Sequence, residues 1–417
     1  MMTDTETAPQ AEGPLKGLRV IEIGMLFAGP LAGTTLADMG ADVIKIEHPS
    51  GDEVRKLGEK IDGHSLWWSV TSRNKRVVAL DMKSPEGRDI VFKLLETADV
   101  LIENFRPCRM AEWGMDYASL RKINPGLVLA HISGYGQSGL YSKRPGLGTL
   151  AEAFSGYAHV TGLEDGPPTL PSYPLADSVA AITAVYSILA AIYARGRNGG
   201  IGDEVDISLY EPLLSLTGPM VINYTKTGAI AKRAGNRARW STPRNTYRTR
   251  DDRWIAVSSA ADSAAMRLFK AIGREDLTRD PNWQTNPERL KRLEECDTLV
   301  ADWIAARDQK EALEQFEKFD VIAGPVYDVE QLVNDPHVQA RETMVEVADP
   351  KIGKTMVQDV VPRFTNAPGK MQWLGVDQIG QHTADVMREL GYSDEQISKL
   401  AHQRVLPART AVADEVE

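Results

Sequence analysis

The sequence predicts an α/β protein whose larger part is a doubly wound parallel sheet, accompanied by a smaller α+β domain. Three observations carry this. Short, almost continuous Val/Ile/Leu runs recur through the first third of the chain, the pattern of strands buried on both faces of a parallel sheet. Segments of helical period separate them, as βαβ units require. From about residue 234 the texture changes to a hairpin-like stretch and charged helical sequence.

In order, the runs are RVIEIG (19–24), DVIKIE (42–47), RVVALDM (76–82), DVLIENF (99–105) and LVLAHIS (127–133). GPLAGTTLADMGA separates the first two. SPEGRDIVFKLLETA follows the third, with Ser84 suited to an N-cap, Pro85 to the first helical position, and Ile90, Val91, Leu94 and Leu95 on one face. PLADSVAAITAVYSILAAIYARG (174–196) reads as a long apolar helix of small residues, and GGIGDEVDISLYEPLLSL as a Gly-rich turn, a strand and a helix. NTYRTRDDRWIAVSS (245–259) has the look of an antiparallel hairpin with an Asp-Asp turn. Charged helical sequence runs from about 263 to 318, and TADVMRELGYSDEQISKLA reads as a last helix pair. The tail ARTAVADEVE is expected to be disordered. The predicted organisation is a Rossmann-like large domain over 15–225, a small α+β domain over 234–330 and a C-terminal segment over 331–405.

At 417 residues two domains are the default expectation. A net charge of −10 argues against nucleic acid as a general partner. Cys108 and Cys296 form no C-x-x-C pair, which fits a reducing, cytoplasmic setting. The opening MMTDTETAPQAEGP has no apolar stretch of the kind a secretory signal needs. Asp177, Ser178, Thr183 and Ser187 dilute the long helix, so a buried core helix is expected there rather than a membrane span.

Several chemistries can be weighed on spacing. Gly24, Gly29 and Gly33 follow the first strand and Glu47 ends the second, but G-x4-G-x3-G is not the dinucleotide fingerprint. GYGQSG (134–139) has that spacing, yet LYSKRPGLG after it is loop sequence rather than the helix that a pyrophosphate needs. The seven histidines are scattered, so no metal is expected. Ser133 lies in H-I-S-G-Y, not in a nucleophile elbow. Basic residues cluster near strand ends: His48, Arg55, Lys56, Arg73, Lys75, Arg76, Lys83, Arg106, Arg109, Lys143 and Arg144. They suit either an anion site or solvated surface. Asp177, at the head of the long helix, suits an N-cap. The same place would also suit a nucleophilic carboxylate kept ionised by the helix N-terminus. Spacing alone favours the cap.

Taken together, the segments AGPLAGTTLADMGADVIKIEHPSGDEVR, SRNKRVVALDMKSPEGRDI, ADVLIENFRP, ISGYGQSG, DGPPTLPSYPLADSVAAITAVYSILAAIYAR, NTYRTRDDRWIAV, GPVYDVEQLVNDPHVQARE and IGQHTADVMRELGYS resemble the class III CoA-transferase family (CaiB/BaiF). Formyl-CoA transferase and carnitine CoA-transferase are among its relatives. The resemblance covers nearly the whole chain. It implies that Asp177 is the catalytic nucleophile, forming an aspartyl mixed anhydride and then an aspartyl-CoA thioester. It also implies coenzyme A as a substrate rather than a resident cofactor. CoA contacts carry over to Phe27, Ala28, His48, Leu80, Asp81, Met82, Lys83, Asn104, Phe105, Arg106 and Arg144. The implied assembly is an interlocked homodimer, with the C-terminal segment closing the large domain. Expected partners are an acyl-CoA, a carboxylic acid and a second copy of the chain, with no membrane.

There are departures. Cys108 stands where the family usually has glycine. Gly148 stands where an acidic or amide group often helps position substrate, which leaves Glu152 to replace it. The α-methylacyl-CoA racemases share the fold but pair the aspartate with a histidine. Leu147 occupies that position here, with His159 nearby in sequence. A racemase, or an inactive CoA-binding homologue, is the alternative to a transferase.

Overall fold

The computed structural model describes residues 13–410. The first twelve residues and the end of the ARTAVADEVE tail lie outside them. Six strands form one parallel sheet: β1 (Arg19–Glu22), β2 (Asp42–Glu47), β3 (Arg76–Ala79), β4 (Val100–Glu103), β5 (Val128–Ser133) and β6 (Glu204–Ser208). Their spatial order is β3-β2-β1-β4-β5-β6, with Val20 of β1 level with Val43 on one side and Val100 on the other. Strand order therefore reverses between β1 and β4, the switch point at whose carboxyl edge open α/β sheets commonly take ligands.

The two-residue period of the strands sorts the core into two layers. Val20, Val43, Val100, Val128, Ala130 and Ile207 face one side, under α1 (Ala28–Asp38) and the long helix. Ile21, Ile44, Val78, Leu101 and Leu129 face the other, under α2 (Pro85–Leu95). Ser84 caps α2 by accepting from the Gly87 amide, and Pro85 opens it, as its sequence requires. Two further helices complete this side: the short α3 (Gly148–Phe154), then α4 (Leu175–Arg195), the long apolar helix. GYGQSG runs into loop, and no helix begins before Gly148.

The long helix is a core helix on one face only. Ala176, Ala180, Ala184 and Ile188 are buried, whereas Ile182, Tyr186 and Tyr193 are 63%, 60% and 61% exposed. Nor does Asp177 cap it. Pro174 holds the N-cap position with no side-chain bond, and Asp177 is the third helical residue. The aspartate lies one turn too deep because Leu175 and Ala176 already have helical backbone.

Among the described residues, 13–157, Pro171–Gly218 and 342–410 form one compact unit; Ala158–Leu170 and Pro219–Arg341 form the second. Val386, Met387, Ile397 and Ala401 of the last two helices pack into the α2 side of the large sheet. The 158–170 excursion has no counterpart in the sequence reading. In the smaller unit, β7 (Arg244–Arg248) and β8 (Trp254–Ser258) make the expected hairpin, with Asp252 at φ 63° in its turn. A third strand, β9 (Ala323–Pro325), adds on the far side of β8. Tyr247, Ile255 and Val257 face a helical layer through Leu268, Phe269, Val300 and Phe316. A further hairpin, Met344–Asp349 with Gly353–Gln358, belongs to the larger unit. Its alternating MVEVAD and GKTMVQ halves around a Pro-Lys-Ile turn carried a period-2 signal that the sequence reading passed over. Cys108 adopts φ 74°, the left-handed conformation in which glycine is at no steric disadvantage.

Candidate active site

The carboxyl-edge loops of β1 and β4 are tied together at the switch point. Met25 donates its amide to Asn104 Oδ1 and accepts from Asn104 Nδ2, both at 2.8 Å. The turn is tight: Leu26 sits at φ 62°, and a Cβ on Gly24 would lie 3.1 Å from the Gly29 Cα. Phe27 then occupies the N-cap position of α1, its ring edge-on to Trp67 at 5.0 Å, and Ala28 begins the helix.

The other residues carried over for CoA lie in the neighbouring loops. His48, past β2, is exposed and held by Ser50. Past β3, Leu80 and Met82 are buried in the core under α2, so their side chains serve packing. Asp81 accepts from the Lys83 amide at 2.9 Å and shapes that turn, while the Lys83 side chain is exposed. Past β4, Phe105 packs edge-on to Trp113, and Arg106 is exposed. Arg144, in the loop after β5, lies with its guanidinium 3.7 Å from the Tyr141 ring centre. Phe27, Ala28 and Asn104 are thus brought to one place. His48, Lys83, Arg106 and Arg144 share the strand-end edge without touching one another.

Most of the basic cluster does not face a ligand. Lys75 is fully buried, donating to Glu22 at 2.6 Å, and Lys45 bridges Glu22 and Asp52 at 2.8 and 2.9 Å. Arg73 pairs with Asp38, Arg76 with Asp42 and Glu389, and Arg55 with Glu47. Glu47, the acid that a dinucleotide ribose would need, is therefore spent inside the protein. The acidic partners come from distant strands, so spacing along the chain could not reveal the pairing. Among the described residues, Lys83, Arg106, Lys143 and Arg144 of this cluster form no ion pair.

Asp177 lies where α4 meets α3. A Cβ on Gly148 would fall 2.0 Å from Asp177 Oδ2 and 3.1 Å from its Cγ, so the carboxylate occupies the space that any side chain at 148 would need. One helical turn further along α3, Glu152 is buried and accepts from the Ala176 amide at 3.2 Å. Its carboxylate thus serves one of the free N–H groups at the start of α4. Neither Asp177 nor Glu152 has a cationic partner among the described residues. Burial first, and the Glu152 charge second, push the Asp177 carboxyl up from 3.8 to about 6, against the effect of a backbone hydrogen bond. The helix N-terminus, expected to help keep this carboxylate ionised, is outweighed by desolvation and a like charge. At neutral pH the group is still mostly ionised.

The sequence reading missed an aromatic wall beside α3. Tyr135, Tyr141 and Tyr210 surround Phe154, with ring centres 5.4, 6.0 and 5.0 Å from it. The loop that carries Tyr135 and Tyr141 is closed at its base by Gly134 and Gly146, each needing the other to lack a Cβ. Only that glycine pair was visible beforehand, since the four aromatic residues are spread from 135 to 210. Leu147, at the N-cap of α3, offers no proton carrier, and His159 belongs to the smaller unit.

The site thus combines a doubly wound sheet with a tight strand–helix turn at its switch point and, on an adjacent helix, a carboxylate with no cationic partner among the described residues. The chain belongs to CoA-transferase family III, whose model matches residues 15–383. It is 37% identical over 396 residues (94% of this chain, 98% of the relative) to succinyl-CoA–D-citramalate CoA-transferase of Chloroflexus aurantiacus. It is 33% identical over 403 residues (93% and 98%) to succinate–glutarate CoA-transferase of Agrobacterium fabrum. Among solved structures it is similar to a CAIB/BAIF family protein from Brucella suis, with a TM-score of 0.80 and 29% identity over 91% of this chain and 100% of that one. The protein is a CoA-transferase.

Proposed function

We propose that this enzyme passes CoA from succinyl-CoA to a small hydroxy- or dicarboxylic acid, with Asp177 as the nucleophile. The observation that carries the mechanism is the Gly148–Asp177 arrangement: a half-buried carboxylate with no cationic partner among the described residues, held in space cleared by a missing side chain. The substrate class is supported by relatives named for succinyl-CoA with D-citramalate or L-malate, and for succinate with glutarate.

An ionised Asp177 oxygen attacks the thioester carbonyl carbon, the C–S bond breaks, and CoA leaves as thiolate from a mixed anhydride. The thiolate then attacks the Asp177 carbonyl carbon. That step expels the donor acid as carboxylate and leaves an aspartyl-CoA thioester. The acceptor carboxylate runs the two steps in reverse and restores free Asp177. Each step exchanges one activated acyl bond for another, so no external energy source enters. Lys83, Arg106 and Arg144 supply unpaired charge for the CoA phosphates, and the Met25–Asn104 pair fixes the backbone beside them. The exposed stripe Ile182, Tyr186 and Tyr193 on α4 suits burial against a second copy of the chain.

Hydroxylamine added during turnover should trap the acyl-enzyme as a hydroxamate on the peptide carrying Asp177, read by mass spectrometry. Asp177→Ala should lose at least about 10³-fold in turnover, some 4 kcal/mol of activation free energy. Full activity in that variant would sink the mechanism.

A further inference from the structure

The glycines at 24, 29 and 33 fail as a dinucleotide fingerprint, yet all three serve the turn that joins β1 to α1. Gly24 and Gly29 let the two ends of the turn close on each other, and a Cβ on Gly33 would fall 2.2 Å from Glu22 Oε2. The space left at Gly33 admits the Glu22 carboxylate, which joins Lys45, Asp52 and Lys75 in a buried set beneath the turn. From that set, side chains reach the turn itself. Lys45 donates to the Gly24 carbonyl at 2.8 Å, and Lys75 to that of Pro30 at 2.6 Å. Asp52 Oδ1 accepts from the Leu26 amide at 3.4 Å and caps the Glu53–Lys56 turn through the Val54 amide at 3.0 Å. Asp52 Oδ2 lies 2.9 Å from Lys45 Nζ. With Asn104 holding both polar groups of Met25, the backbone from 24 to 26 is gripped at every residue.

The grip holds a conformation that the sequence disfavours. Leu26 sits at φ 62°, in the left-handed region that any side chain makes costly. Strain of this kind persists only where the surroundings over-determine it, and it gathers at ligand sites. The turn is also open on its outer side, where Met25 is 39% exposed. Its place in the fold puts it on the same edge as Asp177. Arg195, at the far end of α4, donates to the Gly126 carbonyl and to Asp99, just before β5 and β4 begin. α4 therefore ends at the amino edge of the sheet and starts, with Asp177, at the carboxyl edge. α1 leaves β1 at that carboxyl edge, covers the same face and packs against α4. The two helices run the same way, so the first turn carrying Phe27 and Ala28 and the first turn carrying Asp177 share one edge of one layer.

We propose that Asp52 is a positioning residue for the acyl-CoA: through Lys45 and the Leu26 amide it holds the β1–α1 turn in the left-handed shape on which CoA seats beside Asp177. That CoA seats at this turn rests on the transfer reading above; the grip on the turn does not. The probe is free CoA, titrated calorimetrically into the full-length protein, with Tm as a second readout. Asp52→Asn should weaken CoA binding about tenfold, the range over which a left-handed backbone is disfavoured. That variant leaves two lysines on Glu22 alone, so a charge-balanced one accompanies it. Lys45→Met combined with Asp52→Asn removes one base and one acid, keeps the Glu22–Lys75 pair, and should fold and show the same loss. Leu26→Gly added to either should bring CoA affinity back to within about threefold of the parent, because glycine enters the left-handed region without a steric penalty. Tm should stay low. A role confined to stability would instead lower Tm and leave CoA affinity where it was. CoA affinity unchanged in both the single and the balanced variant would overturn the assignment, and so would a loss that Leu26→Gly does not recover. Asp177→Asn separates this from the transfer chemistry. Full transfer by Asp177→Asn, together with the Leu26→Gly rescue, would keep the positioning role and remove the nucleophile. An inactive Asp177→Asn with Asp52-independent CoA affinity would do the reverse.

Discussion

Two buried clusters of charge in the larger unit behave in opposite ways. Beneath the β1–α1 turn, Glu22, Lys45, Asp52 and Lys75 form a closed set in which two acids face two bases, with the Gly24, Pro30 and Thr71 carbonyls taking further lysine hydrogens. At the α3–α4 junction, Glu152 and Asp177 repel each other with no basic partner among the described residues. The first cluster fixes backbone; the second stores unfavourable free energy in the carboxylate proposed as the nucleophile. Compensation, rather than the density of charge, separates framework from chemistry.

The largest test of that contrast lies in the compensated cluster. Glu22→Ala would leave buried Lys75 with no acidic partner and Lys45 with Asp52 alone, and should cost about 3–5 kcal/mol, since breaking a buried pair leaves its charge without a partner. The denaturant midpoint should fall accordingly. A small loss would place water in the cluster and weaken the comparison. The uncompensated carboxylate should respond with the other sign. Asp177→Asn should stabilise the folded state at pH 7 by on the order of 1–2 kcal/mol, after allowance for partial exposure. Because the folded-state value is raised from 3.8 to about 6, the penalty relieved is full above pH 6 and absent below pH 4. Thermal unfolding of both proteins at pH 7 and pH 4 reads this directly.

Kinetics sharpen the same point. The acid limb of kcat/KM for the acyl-CoA should reflect ionisation near pH 6. Glu152→Gln keeps an acceptor for the Ala176 amide but removes the like charge, so the limb should move to lower pH. It should not return to 3.8, because burial is the larger cause. An unmoved limb would mean that Glu152 only anchors the helix. The smallest effect belongs to His131, which lies between Glu103 and Glu204 on adjacent strands. Burial opposes its protonation, but the two glutamates together hold its value above 6.5. Its contribution to stability is therefore complete below pH 6.5 and lost as pH rises through the raised value. That slope in the unfolding free energy should vanish in His131→Asn.

The sheet was legible because buried parallel strands write themselves as apolar runs. Asp42–Glu47 matches its run residue for residue, and the others differ by trimmed ends. Local capping was legible at Ser84 for the same reason: cap, proline and apolar face are neighbours in sequence. At Asp177 the same logic placed the helix start three residues late, since the open space at Gly148, contributed by another helix, decides where that carboxylate lies. The basic cluster misled more deeply. Arg73, Lys75 and Arg76 are consecutive or nearly so, yet their partners Asp38, Glu22 and Asp42 sit on other elements, and only the folded register pairs them. The third strand Ala323–Pro325 is too short to carry a period of its own.

The 2.0 Å approach of a notional Cβ on Gly148 to Asp177 has a bearing on how specificity can be exchanged within the family. An acidic residue cannot be grafted at position 148 by itself, because it would displace the Asp177 carboxylate before meeting any substrate. Such a swap demands a compensating change in the spacing of α3 and α4. Selection or engineering that retargets this enzyme is therefore steered away from 148 and toward positions whose side chains open onto free volume.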